Sequence, residues 1–405
     1  MTLAVWVCFV AVPLAAAPPL SLREAVAEAL ARHPVLAAGA ERVRASEALR
    51  LQAALRPNPR LFIQLENLRA YGAPGFSYGR DADSYLYVSQ VFETGAKRER
   101  RVEAAAVTLR RAELERELLR RQIAARVKQA YWAAAGAQRQ LEILLETGQT
   151  FRQVVEYHEL RVREGAMAEA DLLRVRLEGE RLAIAANGAA LEAERTRIQL
   201  FREMGRTEFP PVDFADPLED PAPAPVVVDV AAALESRPEM QLARLAVEQA
   251  RANLRLAEAH SRPDLDVLFG YKRTAGFNTL LGGVQWNLPV LNRNQGNIAA
   301  ALAEVRAAES SLAATEALIR AEVRTAAVEY EARRRQLAES LRALREHAAE
   351  SARIAQAAYR EGGTDLLRLL DAERVRLETE TLYYRTLAEY RQSAAALEAA
   401  LGVEP

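Results

Sequence analysis

Few residues of this chain are of the kinds that do covalent or metal chemistry. Its four histidines, His33, His158, His260 and His347, fall in different segments, and its one cysteine is Cys8. Thiol catalysis, disulfides and thiolate metal sites all need cysteines that the rest of the chain lacks. Histidines so scattered do not build a tight metal store. His158 falls on an apolar helical face, which reads as a packed or lumen position rather than a ligand. Gly95-Ala96-Lys97-Arg98 resembles part of a phosphate-binding loop but has neither its upstream glycine nor its Ser/Thr. There is no H-E-x-x-H. No catalytic, cofactor-binding or metal residue is assigned, and the chain is not expected to be an enzyme.

What the chain does have in abundance is helix-forming residues. From Ile123 to Val162 the positions Ile123, Val127, Ala130, Ala134, Ala137, Leu141, Leu144, Gly148, Phe151, Val155, His158 and Val162 advance in alternating steps of four and three. That 3.5-residue period predicts a supercoiled helical seam, and its alanines predict close helix approach. Ile298, Leu302, Val305, Leu312, Ile319, Val323, Ala326 and Tyr330 echo it less regularly. Gly165 and Gly362-Gly363 interrupt the helices and allow reversals through positive φ. Two helical hairpins follow, with descending arms at 97–163 and 297–360 and returning arms at 169–205 and 365–401. Each returning arm is too short for its partner. Helices at 22–56 and 232–260 make up the missing length, so two stacked helices are expected to cover one long one.

Between each short helix and the following long one lie two strand-like runs, Leu61–Leu68 with Ser84–Phe92 and Leu265–Tyr271 with Asn278–Leu288. Leu265, Val267, Phe269 and Tyr271 alternate onto one face, as do Leu280, Gly282, Val284, Trp286 and Leu288. Each run approaches the roughly 9–11 residues of a tilted membrane-crossing strand. Tyr71, Phe76, Tyr78, Tyr271, Phe277 and Trp286 lie in or near the strand ends and turns, where aromatics suit a membrane interface. An ordinary soluble hairpin is the rival reading. Four strands cannot close a barrel, and open edges are not tolerated in lipid, so several chains would have to share one.

These landmarks occur twice. Arg174-Val175-Arg176-Leu177-Glu178 recurs unchanged at Arg374–Glu378. His33-Pro34 is matched by Arg237-Pro238, and Arg163-Glu164-Gly165 by Arg360-Glu361-Gly362. The expected organisation is a leader at 1–17, a first repeat at 18–205, a proline-rich linker at 206–231 and a second repeat at 232–405. The first repeat holds its β-hairpin at 61–92 and a helical tip near 165. The second holds its β-hairpin at 265–288 and a tip near 362. The leader is apolar, uncharged and ends in Ala15-Ala16-Ala17 before Pro18. It lacks a basic start and is followed by proline, so its cleavage point stays open, and Cys8 sits inside it rather than at a lipidation position. No other run is long and apolar enough for a transmembrane helix. With 54 basic and 55 acidic residues, net charge -1, bulk attraction to nucleic acid is excluded.

On these residues the chain resembles the TolC-like outer-membrane efflux protein family over nearly all its length. The carriers are the duplication, the nested strand pairs, the tip glycines followed by Asp171 and Asp371, and the strand exits at 90–98 and 288–296. The exits are similar to those of the CzcC-like heavy-metal branch. The resemblance implies a mainly α fold with a small β part: long antiparallel helical hairpins forming an α-barrel, plus four transmembrane strands per chain. It implies a homotrimer whose twelve strands close one barrel in outer-membrane lipid, with a hollow helical extension into the periplasm. Its implied partners are a periplasmic adaptor and an inner-membrane RND pump, with no cofactor. It further implies acidic residues past the second tip that narrow the entrance. Asp371 fits by position, Asp365 or Glu373 contributing, while Arg368 stands where an acid is expected. An Arg368–Asp371 pair three residues apart is equally readable as a surface salt bridge. Gly165, Asp171 and Gly362 complete the candidate tip residues. Export of metals, of drugs or solvents, and of proteins all remain open, as do a periplasmic adaptor and a coiled-coil scaffold. The last two leave the duplication or the strand pairs unexplained.

Overall fold

A computed structural model describes residues 19–69, 71–72, 74–219 and 227–403. The leader, Cys8 and the linker prolines Pro221, Pro223 and Pro225 lie outside the described residues. The elements in order are α1 (Leu22–Arg32), α2 (Pro34–Ala53), β1 (Arg60–Glu66), α3 (Tyr78–Asp81), β2 (Asp83–Phe92), α4 (Lys97–Arg163) and α5 (Glu169–Glu203). The same order then returns as α6 (Val230–Ser236), α7 (Pro238–His260), β3 (Leu265–Thr274), β4 (Phe277–Trp286), α8 (Gln295–Arg335), a π-helical turn (Gln336–Leu341), α9 (Arg342–Arg360) and α10 (Leu366–Leu401). The chain forms two compact units, each drawing on both halves of the sequence. One takes the described residues up to Pro34, Arg121–Val228 and those from Arg324 onward; the other takes Val35–Arg120 and Asp229–Val323.

The first unit is a helical bundle built on the seam of α4. None of its twelve seam positions is exposed, and Ile123 and Val127 are fully buried. Burying such a side chain contributes about 1.5–3 kcal/mol. Small residues let the helices approach closely. A Cβ on Gly136 would lie 2.4 Å from the Cβ of Ala388 on α10. The N-terminal segment is tied to the linker: Leu20 pairs with Phe214 as an isolated parallel bridge. The Tyr131 hydroxyl sits 2.8 Å from the Asp216 carboxylate and 2.9 Å from the Leu20 carbonyl, and burial pushes this phenol's pKa up. Ser21 starts α1 with a reciprocal cap, its hydroxyl accepting from the Glu24 amide while Glu24 accepts from the Ser21 amide.

Two helices expected to be continuous are not. The segment 22–56 breaks at His33 and ends at Ala53, and 232–260 breaks at Arg237. Both residues precede proline and have ψ of 125° and 128°, outside the helical region. The proline ring clashes with a helical conformation of the residue before it. The arm expected at 297–360 is likewise interrupted, by the π turn at Gln336–Leu341. Continued from buried Ile319, Val323 and Tyr330, the alternation reaches Leu337 and then position 340, but the buried residues are Leu341 and Ala348, one residue late, and a π turn absorbs one residue.

The second unit packs α2, α6, α7, α8 and the first part of α4, and carries the sheet. Its core includes Val107, Ala233, Ala252, Ile319 and Val323. Arg237 is nearly buried but satisfied, reaching Glu322 at 2.6 Å and Glu239 at 2.9 Å. The four strands form one antiparallel sheet in the order β1-β2-β3-β4. Strands β3 and β4 turn through Ala275 and Gly276, both at positive φ, a two-residue hairpin loop.

Gly136→Leu is expected to destabilise the protein by about 1–3 kcal/mol, because α4 and α10 have no room for the side chain. A thermal or denaturant melt in detergent measures it. An unchanged midpoint would show that the two helices do not touch there.

Candidate functional site

The sheet presents two unlike faces. Cross-strand partners place Ile63, Leu86, Tyr271 and Leu280 in one row, Leu61, Val88, Phe269 and Gly282 in the next, and Phe92, Leu265 and Trp286 at the end of the face. Every one of these side chains larger than glycine is exposed, Leu280 to 76% and Ile63 to 66%. A contiguous apolar surface of this kind marks an interface rather than a water-facing wall. The opposite face carries Arg60, Gln64, Tyr85, Asp266, Lys272, Thr279 and Gln285. There Arg60 pairs with Asp266, and the Lys272 ammonium sits 5.5 Å from the Tyr85 ring centre. Phe62 stacks on Tyr87 at 4.6 Å, and Tyr87 lies over Gly270, where a Cβ would come within 2.4 Å of it. Among the described residues, the outer edges of β1 and β4 pair with no strand.

The aromatics expected at an interface all lie on the margins of this sheet. Tyr71 (92% exposed) and Phe76 are in the β1–β2 connection, and Tyr78 starts α3, its hydroxyl 2.9 Å from that of Ser84. Tyr271 donates to Asn278 at 2.5 Å near the β3–β4 turn, which Phe277 closes. Trp286 ends β4 at the opposite margin, beside Leu265.

The strand exits explain the Gly-Ala-Lys-Arg sequence without a phosphate. Gly95 and Ala96 have φ of 66° and 59° and turn the chain from β2 into α4. Lys97 is buried and binds Asp264 at 2.6 Å, and the Thr94 amide donates to the same carboxylate at 3.0 Å. Burial opposes ionisation of Asp264, but these two bonds outweigh it and hold its pKa below the usual range. Arg98 and Arg101 donate to the Ala54 and Ala53 carbonyls at the end of α2. Arg101 also pairs with Glu93, whose pKa the guanidinium lowers. The residues are a mechanical clamp between strand and helix.

At the hairpin tips, Gly165 and Gly362 adopt φ of 72° and 76°. Each ends its helix in the same way: the Ala166 amide donates to Arg161 and the Gly363 amide to Ala358, both at 2.8 Å. Asp365 does not project as a free acid but caps α10, accepting from the Arg368 amide at 2.9 Å. Asp371 pairs with Arg374 at 2.6 Å, and so the expected Arg368–Asp371 pair is replaced by one running the other way along the helix. An acid three residues before a base also follows the helix dipole. Asp171 repeats this with Arg174 at 3.5 Å. Glu373 bonds Arg376 and Gln356. Asp371 stays 59% exposed at its side chain.

The two hairpins meet just above these tips. Phe151 and Val175 of the first pack with Leu366 and Leu369 of the second. Beside them His158, 1% exposed, donates from Nδ1 to the Val154 carbonyl at 2.7 Å, and its Nε2 meets the Tyr359 hydroxyl at 2.8 Å. Burial raises the Tyr359 pKa. The seam spacing flagged His158, but no local signal in the sequence names Tyr359, which comes from the other hairpin. The other histidines stand apart: His33 at the α1–α2 break, His260 ending α7, His347 within α9. Among the described residues no three His, Cys, Asp or Glu side chains gather into a metal-holding group, and no helix is long and apolar enough to cross a membrane.

A model of the outer membrane efflux protein family matches residues 25–206 and 230–403. The cobalt-zinc-cadmium resistance protein CzcC of Cupriavidus metallidurans is 24% identical over 394 residues, covering 96% of this chain and 92% of that protein. Among solved structures, CusC superposes with a TM-score of 0.79 at 18% identity, over 94% of this chain and 92% of its own. The open-state MtrE outer membrane channel of Neisseria gonorrhoeae gives 0.77 at 19% identity, over 94% and 88%. The chain belongs to the outer membrane efflux protein family, whose members are channels and not enzymes.

Proposed function

We propose that this protein is the outer-membrane channel of a tripartite efflux system, a passive homotrimeric conduit for heavy-metal cations. The observation that carries the reading is the sheet with one largely exposed, mainly apolar face and two unpaired edges. Lipid requires that no backbone edge be left open, and four strands are too few to close. Three copies supply twelve strands. In this reading the apolar face meets outer-membrane lipid with Tyr71, Phe76, Tyr78, Tyr271, Phe277 and Trp286 at its margins, and the polar face lines the pore.

The helices support the same assembly independently. On α5 the positions Leu172, Val175, Gly179, Leu182, Ala186, Ala189, Ala193, Thr196 and Leu200 form one seam of alternating three and four steps, and none is exposed. Leu173, Leu177, Glu180, Ile184, Asn187, Leu191, Glu194 and Ile198 form a second such seam, and all are exposed, Ile184 and Leu191 to 71%. A helix with two seams packs on two sides, and a neighbouring copy fills the open one. The hairpin tips dock a periplasmic adaptor that links the channel to an inner-membrane RND pump, which supplies the energy. The two sequence repeats, 18–205 and 232–405 joined by the linker at 206–231, each provide one β-hairpin and one helical hairpin. The leader at 1–17 directs export. Asp171, Asp365 and Asp371 with Arg368 surround the entrance below Gly165 and Gly362. The metal cargo is supported by the likeness to CzcC, and a conduit needs only weak cation contacts, since tight binding slows release. Drug, solvent or protein export through the same architecture is the second reading.

The protein is expected in the outer-membrane fraction, running as a trimer after crosslinking in detergent. Recovery as a soluble monomer without detergent would overturn the channel reading. Asp371→Ala is expected to raise single-channel conductance in planar bilayers. Its pair with Arg374 is a surface ion pair contributing about 0–1 kcal/mol, so stability should hold while the entrance widens. Equal conductance would remove Asp371 from the entrance. A deletion strain is expected to lose growth on cobalt, zinc or cadmium gradients and keep it on drug gradients; the reverse pattern would reassign the cargo.

A further inference from the structure

The two halves of the sequence leave the sheet differently. Phe92 and Trp286 stand level, since both pair with Leu265. From there β2 reaches α4 through four residues, 93–96, and β4 reaches α8 through eight, 287–294. The short exit is polar and bonded into its own chain: Glu93 pairs with Arg101, and the Thr94 hydroxyl donates to the Pro263 carbonyl at 2.5 Å. The long exit adds Leu288, Val290 and Leu291, which are 71%, 67% and 90% exposed. Its polar groups turn back on the chain. Arg293 Nε donates to the Pro289 carbonyl at 3.2 Å, the Asn294 side chain to the Ala257 carbonyl at 2.7 Å, and the Gln295 side chain to the Leu291 carbonyl at 3.4 Å. The loop is held from within while its aliphatic side chains stay uncovered.

Charge is distributed to match. From Thr274 to Ala303 the only charged residue is Arg293, in a chain that is 27% charged. The first repeat instead carries five charged residues, Lys97 to Arg101, directly after its own exit. Leu288 keeps the spacing of two set by Leu280, Val284 and Trp286, so the loop prolongs the exposed apolar face past its last paired row. Aliphatic residues next to a tryptophan, with one arginine just beyond, suit the edge of a hydrocarbon layer. There the aliphatic groups enter the acyl region and a long cationic side chain reaches back to the headgroups. Arg293 forms no ion pair among the described residues, and its one side-chain bond, to Pro289, uses Nε. Its terminal nitrogens are left for an anion, and phosphate is the anion that headgroups supply.

We propose that residues 287–294 form a membrane shoulder, with Leu288, Val290 and Leu291 seated in the acyl chains of the periplasmic leaflet and Arg293 on a phospholipid phosphate. The proposal rests on the outer-membrane channel reading and names where lipid contact ends on the side of the helices. A second copy is the competing occupant, since β4 is an edge strand. Lipid is favoured because the loop continues the apolar face and places its one charge where that face ends. The consequence is a fixed height in the membrane. A face that is apolar along its whole length tolerates sliding along the bilayer normal. A loop that passes from Leu291 to Arg293 has one favourable depth.

The natural chain has one cysteine, Cys8, so a C8S background allows a single nitroxide to be placed at will. Labels at L288C, V290C, L291C and R293C are compared in full-length protein reconstituted into vesicles of phosphatidylethanolamine and phosphatidylglycerol. L280C on the apolar face and R353C on α9 serve as the lipid and water references. All six positions are exposed in the single chain, so the fold tolerates the changes. Relaxation by molecular oxygen reports lipid, and relaxation by a water-soluble nickel chelate reports solvent. The expected ratio of oxygen to nickel accessibility at 288, 290 and 291 lies within about twofold of that at 280 and several-fold above that at 353. It is expected to fall steeply at 293. Nickel accessibility at 290 and 291 equal to that at 353 would put the loop in water and overturn the shoulder. Labels there that neither reagent reaches would show a neighbouring copy covering the loop, and would overturn it equally. Both results leave the channel reading intact as long as L280C stays in lipid. A water-exposed L280C would instead sink that reading itself.

Discussion

The constraint on which the structure depends is that backbone N–H and C=O groups cannot be left unpaired in hydrocarbon. In this protein four strands expose an apolar face, so the surroundings they suit offer no water to satisfy an open edge. Strand β1 and strand β4 each have one such edge. The sheet thus has two open edges, and they differ: β1 has 7 residues and β4 has 10, with different sequences. Self-complementary edges would give a closed pair of copies. Contact between two unlike edges gives a ring where the rotation between copies closes.

The same logic operates in the helices with a different force. The backbone within α5 pairs along its own helix, but the second heptad seam leaves Leu173, Leu177, Ile184 and Leu191 exposed. Removing such side chains from solvent is worth about 1.5–3 kcal/mol each when burial is complete. Interruption by Glu180, Asn187 and Glu194 keeps the seam from being a uniform apolar strip. Polar residues at seam positions cost stability and restrict which partner and register are accepted. The open sheet edges and the exposed heptad seam are both surfaces that the proposed assembly would cover.

Much of this was legible in the sequence because it depends on period. The α4 seam was readable residue by residue, since a 3.5 repeat has few other physical meanings. The strand faces were readable from their period of two, and both tip reversals from glycine. What escaped had no periodic signal. The breaks at His33 and Arg237 come from single prolines that a seam continues past. The π turn needed one extra residue within 336–341, visible only once Leu337 and Leu341 were both seen buried. The ion-pair partner of Asp371 was not legible for another reason. Spacing of three allowed Asp371 to pair in either direction, and the helix dipole with the available Arg374 decided it. Lys97 and Asp264 lie far apart in the chain, so only the fold could show that Gly-Ala-Lys-Arg is a clamp.

His158 and Tyr359 show how a polar pair specifies what an apolar seam leaves loose. Most of the α4 seam is alanine, leucine, isoleucine and valine, side chains that pack acceptably after a slip of one heptad. His158 does not. Its Nε2 is satisfied only by Tyr359, and a shift of α9 by seven residues would set Ala352 there instead. Leaving that buried nitrogen unpaired costs about 1–3 kcal/mol. The pair penalises misalignment between the two hairpins rather than within one. The same cluster holds Phe151, Val175, Leu366 and Leu369, so register and packing are fixed at one level, next to the reversals. Helices this long transmit a local error along their whole length. A polar check near the tips confines any misregistration to the segment where the chain turns back.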